Sequence, residues 1–207
     1  MANKYDGTCL WTDRGRRPLV DKGVKMSADT ALDRRQDKTR QAIAGAFVAL
    51  LFERPYGQIT VTALIDRANV GRSTFYEHFT GKDDVFRQSV ASPLSVVARA
   101  TVGDAQIGTL VYILEHFREN QGVARVMFQT AARQTFLSVF ATEIETAFGD
   151  RRPTTRLSSA LVAAQIAAAL WAVLEPWILG KVPVTAETLA EALRLTGQAM
   201  TEGLLTR

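Results

Sequence analysis

The tripeptide Asn69-Val70-Gly71 separates two short amphipathic segments, and it restricts what this chain can fold into more than any other stretch. Asn and Gly tolerate left-handed backbone at low cost, so a helix ending near Ala68 can turn sharply into a second one. Ahead of the turn, Thr60 is placed to cap a helix with Ala63, Leu64 and Ala68 inward, its hydroxyl accepting an orphaned N–H of the first turn. Behind the turn the spacing predicts a helix over Arg72 to Phe79, with Phe75 and Phe79 one turn apart on a single face. Two short helices joined this tightly form a helix-turn-helix.

The flanking sequence is helical as well. Ile43, Phe47, Leu50 and Leu51 fall at i, i+4, i+7 and i+8 and predict a helix from Asp37 that ends before Pro55. Thr80-Gly81 closes the second short helix, and Lys82 opens another through Val85, Phe86 and Val90. Beyond Pro93 the pattern stays helical, punctuated by Gly103-Asp104, Asn120-Gln121-Gly122, the polar loop Gly149 to Thr154, and Gly180 to Pro183. No strand-like alternation survives. The expected architecture is all-α: a basic flexible arm over 1–33, a three-helix helix-turn-helix domain over 34–91, and a helical bundle domain over 92–207.

Charge is uneven along the chain. Residues 1–40 hold ten Lys/Arg against six Asp, whereas the remaining residues carry fifteen of each sign. A basic front on a neutral remainder suits a module that faces a polyanion. Within the arm, Arg14, Arg16 and Arg17 fit either a minor-groove contact or a solvated tail. Met26 begins a run that reads as an alternative translation start. The nearly uncharged stretch Leu157 to Leu174 contains Ser158, Ser159 and Gln165, which favours a buried helix over a membrane span. A single cysteine, Cys9, and the lack of a continuous apolar leader block point to the cytoplasm.

The second short helix presents chemistry suited to a major groove. With Phe75 and Phe79 turned inward, Arg72, Ser73, Thr74, Tyr76 and His78 occupy the opposite side and the ends. Ser73 and Thr74 are small enough for close approach to base edges, and Arg72 is the long donor able to grip a guanine through two hydrogen bonds. Thr60, Tyr76, His78 and Lys82 are candidates for phosphate contacts. Arg72 also fits a merely solvated role, Thr60 a merely capping one, and His78 a structural hydrogen bond beneath the next helix.

The run from Ile59 to Phe86, preceded by Lys38 to Gly57, resembles the DNA-binding region of the tetracycline-repressor (TetR) family. Its most specific part is the Thr-Phe-Tyr-x-His-Phe-x-x-Lys signature at Thr74 to Lys82, supported by Thr60 and Tyr56. The turn departs from the family's Ala-Gly-Val-Ser, since Asn69 stands at the glycine and Gly71 at the serine. Ala63 stands where an acidic residue is common, so a capping box from Thr60 is missing. The resemblance implies a homodimer joined through the last two helices and a C-terminal domain that senses a small effector and releases palindromic double-stranded DNA. Repression is the mode it implies.

In the C-terminal region, Phe117, Met127, Phe128, Phe136, Phe140, Trp171 and Glu175 are the candidates for an effector pocket. All but the last also fit an ordinary core. The final helices, about 155–179 and 185–205, carry apolar residues on more than one side, including Leu161, Ile166, Leu170, Leu189, Leu193 and Leu195. Burial on two faces is what a four-helix subunit interface provides. An enzyme is disfavoured: Cys9 lies in the arm, His78 and His116 lie in different predicted domains, and no phosphate-cradling glycine loop, metal-ligand cluster or cofactor motif is present.

Overall fold

The computed structural model describes residues 28–122 and 132–206. Among the described residues every regular element is a helix: α1 (Ala28–Glu53), a 3-10 turn (Tyr56–Gln58), α2 (Val61–Ala68), α3 (Arg72–His78), α4 (Lys82–Thr101), α5 (Ile107–Glu119), α6 (Ala132–Phe148), α7 (Ser159–Ile178) and α8 (Ala186–Leu204). The all-α expectation holds. Arg14, Arg16, Arg17, Cys9 and Met26 lie outside the described residues, as do Met127 and Phe128.

Helix α1 starts at Ala28, ahead of the expected start at Asp37, and takes up the last residues assigned to the arm. Apolar periodicity finds only the part of a helix that packs. In α1 that part begins at Ile43, whereas residues 36–42 are almost wholly exposed. Upstream, the run from Ala28 contains neither Gly nor Pro and is rich in residues that favour helix, so the helical backbone extends ahead of the apolar stripe. Pro55 stops it, as expected.

The boundary expected between 91 and 92 falls inside α4, which continues to Thr101 with Pro93 in its interior. Proline removes one helical hydrogen bond and costs about 3 kcal/mol in an isolated helix. Here the surrounding burial offsets that cost: Val90, Pro93, Leu94, Val96, Val97 and Ala98 are all inside, and full burial of one large aliphatic side chain stabilises by roughly 1.5–3 kcal/mol. α4 packs most heavily on α6 and then on α8, while its first turns meet α1. One rod therefore belongs to both domains.

The C-terminal core forms where α6 packs on α7 and α8 packs on α4 and α5. α7 is long and apolar enough to cross a membrane, yet half of that span is buried within the protein. Ser158 caps it, accepting from Leu161 N at 3.3 Å, and Thr185 caps α8 through Thr188 N at 3.3 Å. The apolar residues of these helices divide between two faces. Ile166, Leu170, Leu174, Leu189 and Leu193 are buried, whereas Leu161, Val173 and Leu195 are 46–58 % exposed.

The effector-pocket candidates that are described lie mostly in the core. Phe117, Phe136, Phe140 and Trp171 are all buried, and the Phe136 and Trp171 rings stand 4.7 Å apart. The Phe136 and Trp171 rings thus pack against one another. Glu175 sits beside Pro176 within α7 and pairs with Arg133 at 3.1 Å. That pair is partly exposed, so it adds little to stability.

Where α8 crosses α4 the backbones approach closely. A methyl group on buried Gly197 would lie 3.0 Å from the Cα and 2.9 Å from the Cγ2 of Thr101, a backbone contact that cannot relax by side-chain rotation. Alanine is intrinsically better than glycine in a helix by about 1 kcal/mol. The clash should outweigh that gain: Gly197→Ala is expected to destabilise the protein by roughly 1–3 kcal/mol, read as a lower midpoint in denaturant, whereas Gly108→Ala, with open space around it, should not.

Candidate nucleic-acid interface

Thr60 adopts extended backbone ahead of α2, and its hydroxyl accepts from Ala63 N at 3.1 Å, the capping role its position predicts. Loss of such a cap typically costs about 1 kcal/mol. α2 ends at Asn69, whose φ of 52° and ψ of 49° are left-handed. Asn69 thus performs the turn that a glycine performs at low cost, since its short side chain is among the few that tolerate this region. Gly71 precedes α3 in ordinary extended backbone and offers no side-chain cap. The departure from serine there leaves the first turn of α3 without that bond.

α3 hangs on two rings. Phe75 is fully buried and Phe79 nearly so, with centroids 5.9 Å apart. The other face stays open: Arg72, Ser73 and Tyr76 are exposed, and Thr74 and His78 are half-buried. Arg72 lies over the Tyr76 ring, its Cζ 5.7 Å from the centroid. The base candidates Arg72, Ser73 and Thr74 are therefore brought together on the first turn of one short helix, with Tyr76 one turn beyond. Thr60 is exposed at the start of α2.

Lys82 is engaged within the protein itself. Its ammonium donates to the carbonyl of Tyr56 at 3.0 Å, reaches that of Gly57 at 3.4 Å, and sits 4.7 Å from the Tyr56 ring centroid. Two of its donors are engaged with the protein's own backbone. The Tyr56 hydroxyl in turn donates to Asp83, and burial, reinforced by the Asp83 carboxylate, holds the phenol well above its ordinary pKa. Lys82 and Asp83 thus wrap one aromatic residue and fasten the start of α4 to the turn after α1.

Other contacts complete the mounting. Asp84 accepts from Thr80 N at 2.9 Å, tying the loop after α3 to the first turn of α4, and Gln88 Nε2 reaches the His78 carbonyl at 3.4 Å. His78 therefore combines a structural contact through its backbone with a half-exposed imidazole. Sequence reading did not find the Asp83 and Asp84 contacts. The acidic pair at a helix start was a usable signal, because carboxylates there complement the helix dipole and accept free N–H groups.

Residues 43–88 match the family model for bacterial regulatory proteins of the tetR family. Over 60 residues the chain is 33 % identical to an uncharacterized HTH-type transcriptional regulator of Bacillus subtilis, a stretch that makes up 28 % of this chain and 16 % of that protein. The chain thus spans less than a fifth of that relative's length. Among solved structures, a TetR transcriptional regulator from Streptococcus agalactiae is similar over 82 % of this chain and 98 % of its own, with 27 % identity and a TM-score of 0.52. The helix-turn-helix segment thus matches the tetR family of bacterial regulatory proteins, and beyond α4 the chain is similar in fold to a TetR transcriptional regulator.

Proposed function

We propose that this protein is a homodimeric transcription regulator that binds palindromic double-stranded DNA and, acting as a repressor in the cytoplasm, leaves its operator when a small molecule binds. One observation carries the DNA-binding half: α3 is anchored by buried Phe75 and Phe79 while Arg72, Ser73 and Tyr76 stand open to solvent. A helix held this rigidly, with hydroxyls and one guanidinium outward, matches what a major groove accepts. Arg72, Ser73 and Thr74 read base edges. Tyr76, His78 and the capped start of α2 at Thr60 hold phosphates on either side. Lys82 fixes the domain first and offers phosphates only the donor that its two carbonyl contacts leave over.

Support for the dimer comes from the second apolar face of the last helices. Leu161, Val173 and Leu195 are 58 %, 46 % and 53 % exposed, with the alanines Ala164, Ala168, Ala172, Ala192 and Ala199 also exposed on α7 and α8. Small side chains let helices of two copies approach closely. Twofold pairing then presents two reading helices about 34–36 Å apart, the repeat of successive major grooves. Small-molecule release works by favouring a dimer geometry that misses this spacing.

The central experiment is a gel shift with the DNA upstream of the coding region; no binding at low salt would end this reading. Arg72→Ala is expected to cost roughly 1–3 kcal/mol at its own base and to relax preference there. Tyr76→Phe should weaken every sequence alike and reduce the salt dependence, because a phosphate contact carries no base information. If the two variants lose affinity identically across a randomised site library, the division of roles is wrong.

Lys82→Met separates clamp from phosphate contact. The clamp predicts a lower melting temperature with no DNA present, by the few degrees that about 1–2 kcal/mol produces in a chain of this size; an unchanged melting temperature would return Lys82 to a purely DNA-facing role. Leu161→Glu combined with Leu195→Glu should give monomers in analytical ultracentrifugation and abolish operator binding while the helical circular dichroism persists. A variant that stays dimeric would move the interface elsewhere.

A further inference from the structure

At the opposite end of α4 from the helix-turn-helix, the α6–α7 loop and the last turn of α8 with its tail frame a cavity of about 530 Å³, with Gly103, Arg151, Gln198, Thr201 and Glu202 in its walls. Small-molecule sites commonly have volumes of about 300–1,000 Å³. The cavity is separate from the aromatic candidates of the core.

Its walls are held in place. The loop is pinned to the tail by Thr206 N donating to Arg152 O at 2.7 Å and Thr154 N donating to Leu204 O at 2.8 Å, around an isolated bridge between Pro153 and Leu205. Gly103 has a φ of +80°, and a side chain there would crowd Gln198 Nε2 at 3.1 Å. Gln198 is itself oriented: its Oε1 accepts from Arg194 Nη1 at 2.8 Å, and Glu191 grips the same guanidinium at 2.6 and 2.9 Å. With Oε1 committed, the Gln198 amide N–H groups turn toward Gly103 and the cavity.

The donors there exceed the acceptors. Arg151 makes one weak hydrogen bond through its guanidinium, to Phe148 O at 3.3 Å, and pairs with no carboxylate among the described residues. Thr201 is only 4 % exposed and its hydroxyl has no hydrogen-bond partner among the described residues. A buried polar group in that condition calls for an explanation. Glu202 is the single carboxylate in the wall.

We propose that this cavity binds a small hydrophilic carboxylic acid that also carries an amine or a hydroxyl group. Arg151 and the Gln198 amide take the carboxylate, Glu202 takes the amine or hydroxyl, and the Thr201 hydroxyl gains a partner. An apolar acid is rejected, because it would strand these polar groups on binding. The proposal names the chemistry of the small molecule in the functional reading above and rests on that reading only for the effect on DNA.

Calorimetric titration of the full-length protein with L-serine, L-glutamine, L-glutamate, lactate, malate and citrate tests it, with decanoate as the apolar control. Saturable heat is expected from at least one hydrophilic acid and none from decanoate. Arg151→Gln should weaken that binding by about tenfold or more, equivalent to about 1.4 kcal/mol. Thr201→Val keeps the shape and removes a partnerless hydroxyl, so it should weaken binding while the unliganded protein melts at or above the wild type. Silence from every hydrophilic acid, undiminished binding by Arg151→Gln, or a Thr201→Val protein that melts lower would each overturn the proposal. A wild type that binds an acid but no duplex would support this site and sink the regulator reading, so the two failures are distinguishable.

Discussion

The rings of Phe47, Tyr56 and Phe86 meet with centroids 5.8–6.1 Å apart and join α1, the turn after it and α4. The placement of α3 depends on that junction. A seven-residue helix has no stability of its own in water, because nucleation consumes more conformational entropy than its few hydrogen bonds return. α3 exists because Phe75 and Phe79 reach a surface that is already built. Each edge-on aromatic pair contributes roughly 0.5–1.5 kcal/mol beyond area burial. The Lys82 and Asp83 contacts add direction, since hydrogen bonds at Tyr56 fix the angle at which α4 leaves the domain.

That angle matters because α4 does not stop at the domain edge. A helix of 20 residues spans about 30 Å at 1.5 Å per residue, from the mounting of α3 at one end to Thr101 at the other. Close packing makes such a rod respond by shifting as a unit rather than by deforming locally. Gly197 intensifies this, since the α8 backbone rests against Thr101 with no side chain between them.

The elements legible in the sequence are those whose cause is local. Thr60 capping α2, Asn69 in left-handed backbone, and inward Phe75 and Phe79 all follow from residue type and spacing, and the structure has each of them. Contacts between distant residues were not legible. Lys82 is 26 residues from the Tyr56 carbonyl it holds, and spacing alone does not show that its ammonium reaches that carbonyl. Pro93 misled for a related reason: local propensity ends a helix there, while burial on several sides keeps it going. The start of α1 at Ala28 was missed because apolar periodicity begins only at Ile43. The large aromatics of the C-terminal region suit core and pocket equally by residue type, and burial is what the structure adds for Phe117, Phe136, Phe140 and Trp171.

Arg72 shows how an exposed side chain on α3 is partly ordered in the free protein. Its guanidinium lies over the Tyr76 ring while the residue stays open to solvent. At an exposed site such a contact contributes about 0.5–1 kcal/mol, less than the roughly 1–3 kcal/mol of discrimination from a two-bond contact to a base. The contact is therefore strong enough to limit rotamer entropy and weak enough to exchange for a stronger hydrogen-bonded partner. Ser73 and Thr74 need no such restraint, because short side chains have little entropy to lose. Where their hydroxyls stand depends on where the helix backbone sits, and so on the buried rings beneath it.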